Sequence, residues 1–264
     1  MTYLNFLVFF LFVPIVLLLA VLGIEKRGGR SLPYTFRMLP FWVILAIHIM
    51  VAVIYTTPWD NYLVASGVWY YNKMLVTGLK FGWVPVEEYV FFVLQTLLTG
   101  LLWLVLAVRS GSTQALVKND QQIRQYPVIL LILVWLLGLA LFLSVPSGTY
   151  LGLILIWSLP PIILQLLFGG DILWANRRFV GAAIAFVTLY LSITDSLAIR
   201  SGTWTIAPGQ SLQIYLGGAL PLEELIFFLV TNTLIVFGIT LGLSQHSRVR
   251  FMQIIRVLSI LKQT

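Results

Sequence analysis

The chain has 264 residues, of which 60% are hydrophobic and only 9% charged, and it has no cysteine. A soluble domain carries about 25% charged residues, which excludes one here, and the missing thiol excludes disulfides, thiolate nucleophiles, Cys-ligated zinc and iron–sulfur clusters. The net charge of +7 comes from basic residues scattered between apolar runs, a pattern of membrane orientation and not of a nucleic-acid interface.

In chain order, apolar runs long enough to cross a hydrocarbon core of about 30 Å fall at residues 3–23, 39–57, 86–108, 127–145, 149–169, 179–196 and 221–243, each ended by charges, Gly or Pro. The first has no basic leader and is followed by Glu25-Lys26-Arg27, so it reads as a span and not as a cleaved signal. Alternate loops divide the sixteen Lys and Arg unevenly. Thirteen share one side: Lys26, Arg27, Arg30 and Arg37, then Arg109, Lys118 and Arg124, then Arg177 and Arg178, then Arg248, Arg250, Arg256 and Lys262. The other side holds Lys73, Lys80 and Arg200. Positive residues are retained in the cytoplasm, so the expectation is a multi-pass plasma-membrane protein with its N-terminus outside and its C-terminus cytoplasmic. In the tail, Phe251, Ile254, Ile255, Leu258 and Leu261 recur at helical spacing, predicting an amphipathic helix on the cytoplasmic lipid surface.

The two halves of the chain repeat. Asp60-x5-Ser66-Gly67-x-Trp69 recurs as Asp195-x5-Ser201-Gly202-x-Trp204 at an offset of 135, and Pro85-x-Glu87-Glu88 recurs as Pro221-x-Glu223-Glu224 at 136. Upstream, Tyr3-Leu4 and Pro14 match Tyr150-Leu151 and Pro161 at 147. The reading is an all-α polytopic protein made of two parallel three-helix repeats, residues 1–110 and 147–245, joined by a linker with the fourth span over 111–146 and followed by the tail 246–264.

Of nine acids, Glu25, Asp120 and Asp171 are assigned to cytoplasmic loops, and the other six all sit in the repeated motifs. Pro is a normal helix start and carboxylates suit the positive end of the helix dipole, but capping needs one acid per helix, and here there are two, twice. A charged acid in the bilayer costs roughly 2.5–3.5 kcal/mol even on insertion scales, so such residues face a partner or a cavity and carry function. Adjacent helical residues point about 100° apart, so one member of each pair lines the cavity. Glu88 shares its face with Phe92 and Gln95, Glu87 with Phe91, and Glu224 with Phe228 and Thr231 or Asn232. Burial and like-charge crowding favour the protonated form of a carboxyl, so a set of such groups supplies both a proton donor and an acceptor. Aromatic faces nearby stabilise a developing cation by roughly 0.5–2 kcal/mol per contact. Together these suit proton-initiated rearrangement of an apolar alkene. Phe91, Phe92, Phe227 and Phe228 are the candidate substrate contacts, and Asp60, Asp195, Trp69, Trp204, Gln95 and Asn232 the supporting residues.

Trp204–Ile206 and Leu212–Tyr215 flank Pro208-Gly209 and predict a hairpin over the site, with Trp69-Tyr70-Tyr71 around Asn72 as its counterpart. His48 reads as a packed polar residue and His246 as a tail residue, so no metal site is expected. Gly78-x3-Gly82, Gly148-x3-Gly152 and Gly238-x3-Gly242 are candidate helix-packing positions. There is neither a Rossmann nor a Walker motif.

With both copies of Pro-x-Glu-Glu and of Asp-x5-Ser-Gly-x-Trp, nearly the whole chain resembles the membrane-integral lycopene cyclases of archaea, fungi and some bacteria, in the fused single-chain form of the heterodimeric type. The resemblance implies an isomerase of carotenoid biosynthesis that closes the ψ end groups of lycopene into β-rings, giving γ- and then β-carotene, with no cofactor. By motif it carries the acid and base roles to Glu87, Glu88, Glu223 and Glu224, with Asp60 and Asp195 as second choices. It also implies a lipophilic carotenoid as substrate and association with other carotenoid enzymes. Relatives making ε- or γ-rings share the signature. A proton- or cation-coupled transporter is the main rival, and a non-catalytic assembly partner is the third reading.

Overall fold

The computed structural model describes residues 1–110 and 120–261. Lys118 and Lys262 of the charge pattern, the linker stretch 111–119 and the side chains of Leu258 and Leu261 lie outside the described residues. Among the described residues seven helices are long and apolar enough to cross a membrane: α1 (Tyr3–Arg27), α2 (Phe41–Ala65), α3 (Val86–Arg109), α4 (Gln121–Ser144), α5 (Thr149–Ala175), α6 (Arg177–Arg200) and α7 (Leu222–Leu243). An eighth, α8 (Gln245–Leu261), forms the tail, with Phe251, Ile254 and Ile255 exposed. The all-α, seven-span, multi-pass class is therefore as the sequence indicates.

Several boundaries move. α2 was expected to stop at residue 57, before Pro58, yet it continues to Ala65 and carries Asp60 inside it. Proline is tolerated in apolar surroundings where neighbouring side chains and helices re-satisfy the local backbone, and here, within a turn of Pro58, Thr57 Oγ1 donates to Val53 O and Asn61 Nδ2 to Thr57 O. Two of the three acids assigned to cytoplasmic loops are likewise helical. Glu25 lies in α1 and Asp171 in α5, where the helix resumes after a non-helical Gly169, while Asp120 caps α4 by accepting from the Gln122 and Ile123 amides.

α3 and α7 form the centre of the bundle. α3 packs on α1, α2, α6 and α7, and α7 packs on α2, α3, α5 and α6, so the third helix of each motif copy meets the other. Trp103 of α3, fully buried, donates to Thr240 Oγ1 of α7 at 2.8 Å and is surrounded by the rings of Phe36, Phe41 and Phe179. α4 packs chiefly along α5.

Two of the three glycine pairs do bring helices together. A Cβ on Gly152 would meet Gly138 O at 2.7 Å and Phe142 N at 2.8 Å, both backbone atoms, so α4 and α5 touch main chain to main chain there. Gly238 and Gly242 admit His48 and Ile44. Gly78 and Gly82 are not packing positions. They lie in the loop before α3 with φ of 83° and 67°, values that need glycine. Replacing Gly152 with Ala is therefore expected to lower the unfolding temperature in detergent. Gly181→Ala on open α6 surface, with nothing within 4 Å, is expected to leave that temperature unchanged or raise it, since Ala gains about 0.5–1 kcal/mol over Gly in a helix.

At the end of the bundle where α3 stops, Glu25 accepts from Arg30 and Arg109, both at 2.7 Å. Arg250 of α8 grips Asp171 with both nitrogens, at 2.7 and 2.6 Å, while Asp171 is 3% exposed. Removing one partner of a buried pair leaves the other uncompensated, at about 3–5 kcal/mol. Arg250→Gln is accordingly expected to free the tail, seen as faster tryptic cleavage at Arg248 and Arg256 with the remainder of the chain intact.

Candidate active site

The prolines before α3 and α7 end short strands and set the first helical turn, so both Glu pairs enter at the same end of the bundle. The ladders there differ from the expected hairpin. Trp204–Ile206 (β4) does not pair with Leu212–Tyr215. It pairs antiparallel with Trp69–Tyr71 (β1), in the register Trp69 to Ile206, Tyr70 to Thr205 and Tyr71 to Trp204. Lys80–Phe81 (β2) pairs with Val84–Pro85 (β3), and Tyr215–Leu216 (β5) with Leu220–Pro221 (β6). The Pro208–Gln210 turn follows β4, and Ala207 N donates to Val68 O, which closes β4 onto β1 before the chain can fold back on itself.

The two members of each Glu pair do different things, as their angular separation requires. Glu87 Oε1 accepts from the Thr77 amide at 2.5 Å and Glu223 Oε1 from the Leu212 amide at 2.6 Å, so each holds the loop leading into its own helix. Glu88 and Glu224 point inward. Tyr3 donates to Glu88 at 2.6 Å and Tyr150 to Glu224 at 2.6 Å, all four residues buried. These tyrosines were visible in the sequence as a matched pair but carried no chemical signal there.

The halves then diverge. Glu88 Oε2 accepts a second hydroxyl, from Tyr71 at 2.8 Å, whose matched position is Ile206. Burial first, then the Asp60 and Glu88 carboxyls, push the Tyr71 phenol well above its ordinary value, so it remains a donor. Glu224 Oε2 is buried with no hydrogen-bond partner among the described residues. Trp204 Nε1 donates to Asp195 at 3.0 Å, whereas Trp69 Nε1 and Asp60 Oδ2 are both unpartnered among those residues. Tyr3 lies against Tyr71 and Trp204, and Trp69 against Tyr150, so the aromatic layer crosses between the halves. Among the described residues no three His, Cys, Asp or Glu side chains stand as a metal set.

Two turns further in, α3 and α7 are joined by a polar bridge. Gln95 Nε2 donates to Thr231 Oγ1 at 3.0 Å, and Asn232 accepts from Thr99 at 2.9 Å and reaches Thr188 at 3.3 Å. Beside it lies a cavity of about 250 Å³ between α2, α3, α5 and α7. Phe92 and Phe227 line it, together with Thr56, Trp157 and Gln165, which the sequence did not single out, and with His48, whose Nδ1 is bonded to Ile44 O. Phe91 and Phe228 lie elsewhere, packed edge to face on each other.

A multi-pass helical membrane protein with buried, tyrosine-bound carboxyls one helical turn from the wall of an apolar cavity is the class that fold and site define. The chain belongs to the lycopene cyclase family. It is 36% identical over 240 residues to a lycopene beta-cyclase of Halobacterium salinarum, covering 91% of this chain and 95% of that protein. A bifunctional lycopene cyclase/phytoene synthase of Gibberella fujikuroi is 38% identical over 199 residues, and one of Phaeosphaeria nodorum 38% over 203. These matches cover 74% and 72% of this chain but only 34% of each fungal protein. No family model and no solved structure matches the chain.

Proposed function

We propose that the chain cyclises the ψ end groups of lycopene to β-rings, giving γ- and then β-carotene, by proton transfer between buried glutamates. Glu224 gives its proton to C2 of the terminal C1=C2 alkene. The C5=C6 electron pair attacks the cation at C1, forming the C1–C6 bond and moving the charge to C5. Glu88 removes the C6 proton, restoring a C5=C6 double bond. One proton enters and one leaves, so the reaction is an isomerisation, and it resets when the proton returns to Glu224.

The observation that carries this reading is the matched pair of inward glutamates, each held by a tyrosine, one helical turn before Phe92 and Phe227, which wall an apolar cavity. Their different surroundings support the assignment of roles. An oxygen accepting two hydroxyls is suited to hold negative charge, and Glu88 has it. Glu224 Oε2, buried with no hydrogen-bond partner among the described residues, can carry a proton that is committed to no protein acceptor. Asp60 and Asp195 act behind them as positioning residues, while Phe91 and Phe228 back the wall. Glu87 and Glu223 serve the loops.

The matched contacts also support reading residues 1–110 and 147–245 as parallel repeats around a linker helix, and the uneven division of Lys and Arg supports an N-terminus outside the plasma membrane. The fungal relatives, which join a lycopene cyclase to a phytoene synthase, support work alongside other carotenoid enzymes. The test is expression in a host that accumulates lycopene, with pigments resolved by chromatography. One- and two-ring products are expected, and unchanged lycopene beside correctly inserted protein would sink the proposal.

A further inference from the structure

The repeat reading gives every wall of the cavity a counterpart, and the two versions can be compared. Tyr55 OH of α2 donates to Trp157 O of α5 at 2.8 Å, and at the matched positions Tyr190 OH of α6 donates to Phe10 O of α1 at 2.9 Å. The α2–α5 and α6–α1 seams are therefore the same joint built twice. Their fillings differ. Ala52 and Thr56, which line the cavity on α2, correspond to Val187 and Leu191 on α6, and these two larger side chains are 2% and 0% exposed.

The hollow seam also reaches the lipid-facing surface. Val51, Tyr55 and Trp157 line both the cavity and a shallower depression beside it, whose rim includes the exposed Met50 and Ile54. Along α7 the cavity runs from Phe227 to Ile235, about 12 Å at 1.5 Å per residue. Its volume of about 250 Å³ is below the range of about 300–1,000 Å³ that encloses a drug-sized ligand. It has room for one end of a long polyene and not for the whole.

We propose that the α2–α5–α7 seam is the binding chamber for one acyclic end group of the carotenoid, that Ala52 and Thr56 create its space, and that the α6–α1 seam takes none. The inference rests on the cyclase reading above. The rest of the polyene leaves through the depression at Met50 and Ile54 into lipid. A chain with one chamber closes one end at a time, so the one-ring product dissociates and re-enters reversed before the second ring forms.

The experiment exchanges the two fillings in a lycopene-accumulating host. Ala52→Val with Thr56→Leu writes the filled seam into the hollow one, and Val187→Ala with Leu191→Thr does the reverse. The first pair is expected to lower ring-containing pigment per unit of membrane-inserted protein by about tenfold or more, and the second to leave it within about twofold. To separate blocked binding from misfolding, lycopene retained on purification is compared between Glu224→Gln and Glu224→Gln carrying the first pair. Retention is expected only without the filling. In a time course with purified protein and added lycopene, free one-ring product is expected to rise before the two-ring product. Full activity of the filled variant, selective loss in the reverse variant, or two-ring product without a one-ring pool would each overturn the single chamber. A wild-type protein that converts no lycopene would instead overturn the cyclase reading, and the chamber with it.

Discussion

Glu88→Gln and Glu224→Gln are each expected to lower ring-containing pigment by about 100-fold or more, the scale of a lost general acid or base. Glutamine keeps the size of the side chain and still accepts the tyrosine hydroxyl, so the inserted protein should be present at the wild-type level. Glu87→Gln and Glu223→Gln are expected to behave differently. Each weakens a charge-assisted bond to a loop amide, a contact worth roughly 1.5–3 kcal/mol, so they should reduce the amount of folded protein while the activity of each remaining molecule is largely kept. Immunoblotting alongside chromatography separates the two outcomes. If Glu87→Gln abolished product at full protein level, the division of labour within each pair would be wrong.

Trp59→Ala is expected to have the largest effect on stability. Trp59 stacks on Trp157 at 4.6 Å and on Phe227 at 5.7 Å, Trp157 also meets Phe227 at 6.4 Å and Tyr55 at 5.6 Å, and Trp59 Nε1 donates to Leu153 O. This cluster of four rings stitches α2 to α5 and α7 directly beside the cavity. Truncating a buried tryptophan costs about 3–5 kcal/mol, and at roughly 2–4 °C per kcal/mol for a chain of this size the unfolding temperature in detergent should fall by about 10 °C. Tyr55→Phe keeps the stack and loses only the hydroxyl bond to Trp157 O, so its shift should be a small fraction of that.

The bundle was legible because lipid demands long apolar runs, and seven such runs cannot be disguised. The helix ends were less so. Pro58 suggested a stop, and nothing local in the sequence announced that Thr57 and Asn61 would occupy the carbonyls around it. The Glu pairs stood out because charge is costly in an apolar chain, yet which member turned inward depended on where the loops at Thr77 and Leu212 came to lie. The strand pairing was misjudged because Trp204–Ile206 and Leu212–Tyr215 are close in sequence, while its true partner is over a hundred residues away. Tyr3 and Tyr150 were readable as a match and unreadable as hydrogen-bond donors, since an aromatic residue at the start of an apolar helix is ordinary in any membrane protein.

The ladder at the mouth of the site has a particular symmetry. Tyr70 sits opposite Thr205, the position it matches in the motif, and Trp69 and Tyr71 sit opposite the matches of each other. A segment that pairs antiparallel with its own copy about its middle residue is what two identical chains form across a twofold axis. The protein thus holds within one polypeptide the joint of a symmetric dimer of half-length chains. Confinement to one chain frees the two sides to differ, and the exchange of a tyrosine for an isoleucine at Tyr71 and Ile206 is a difference that two identical subunits could never have had.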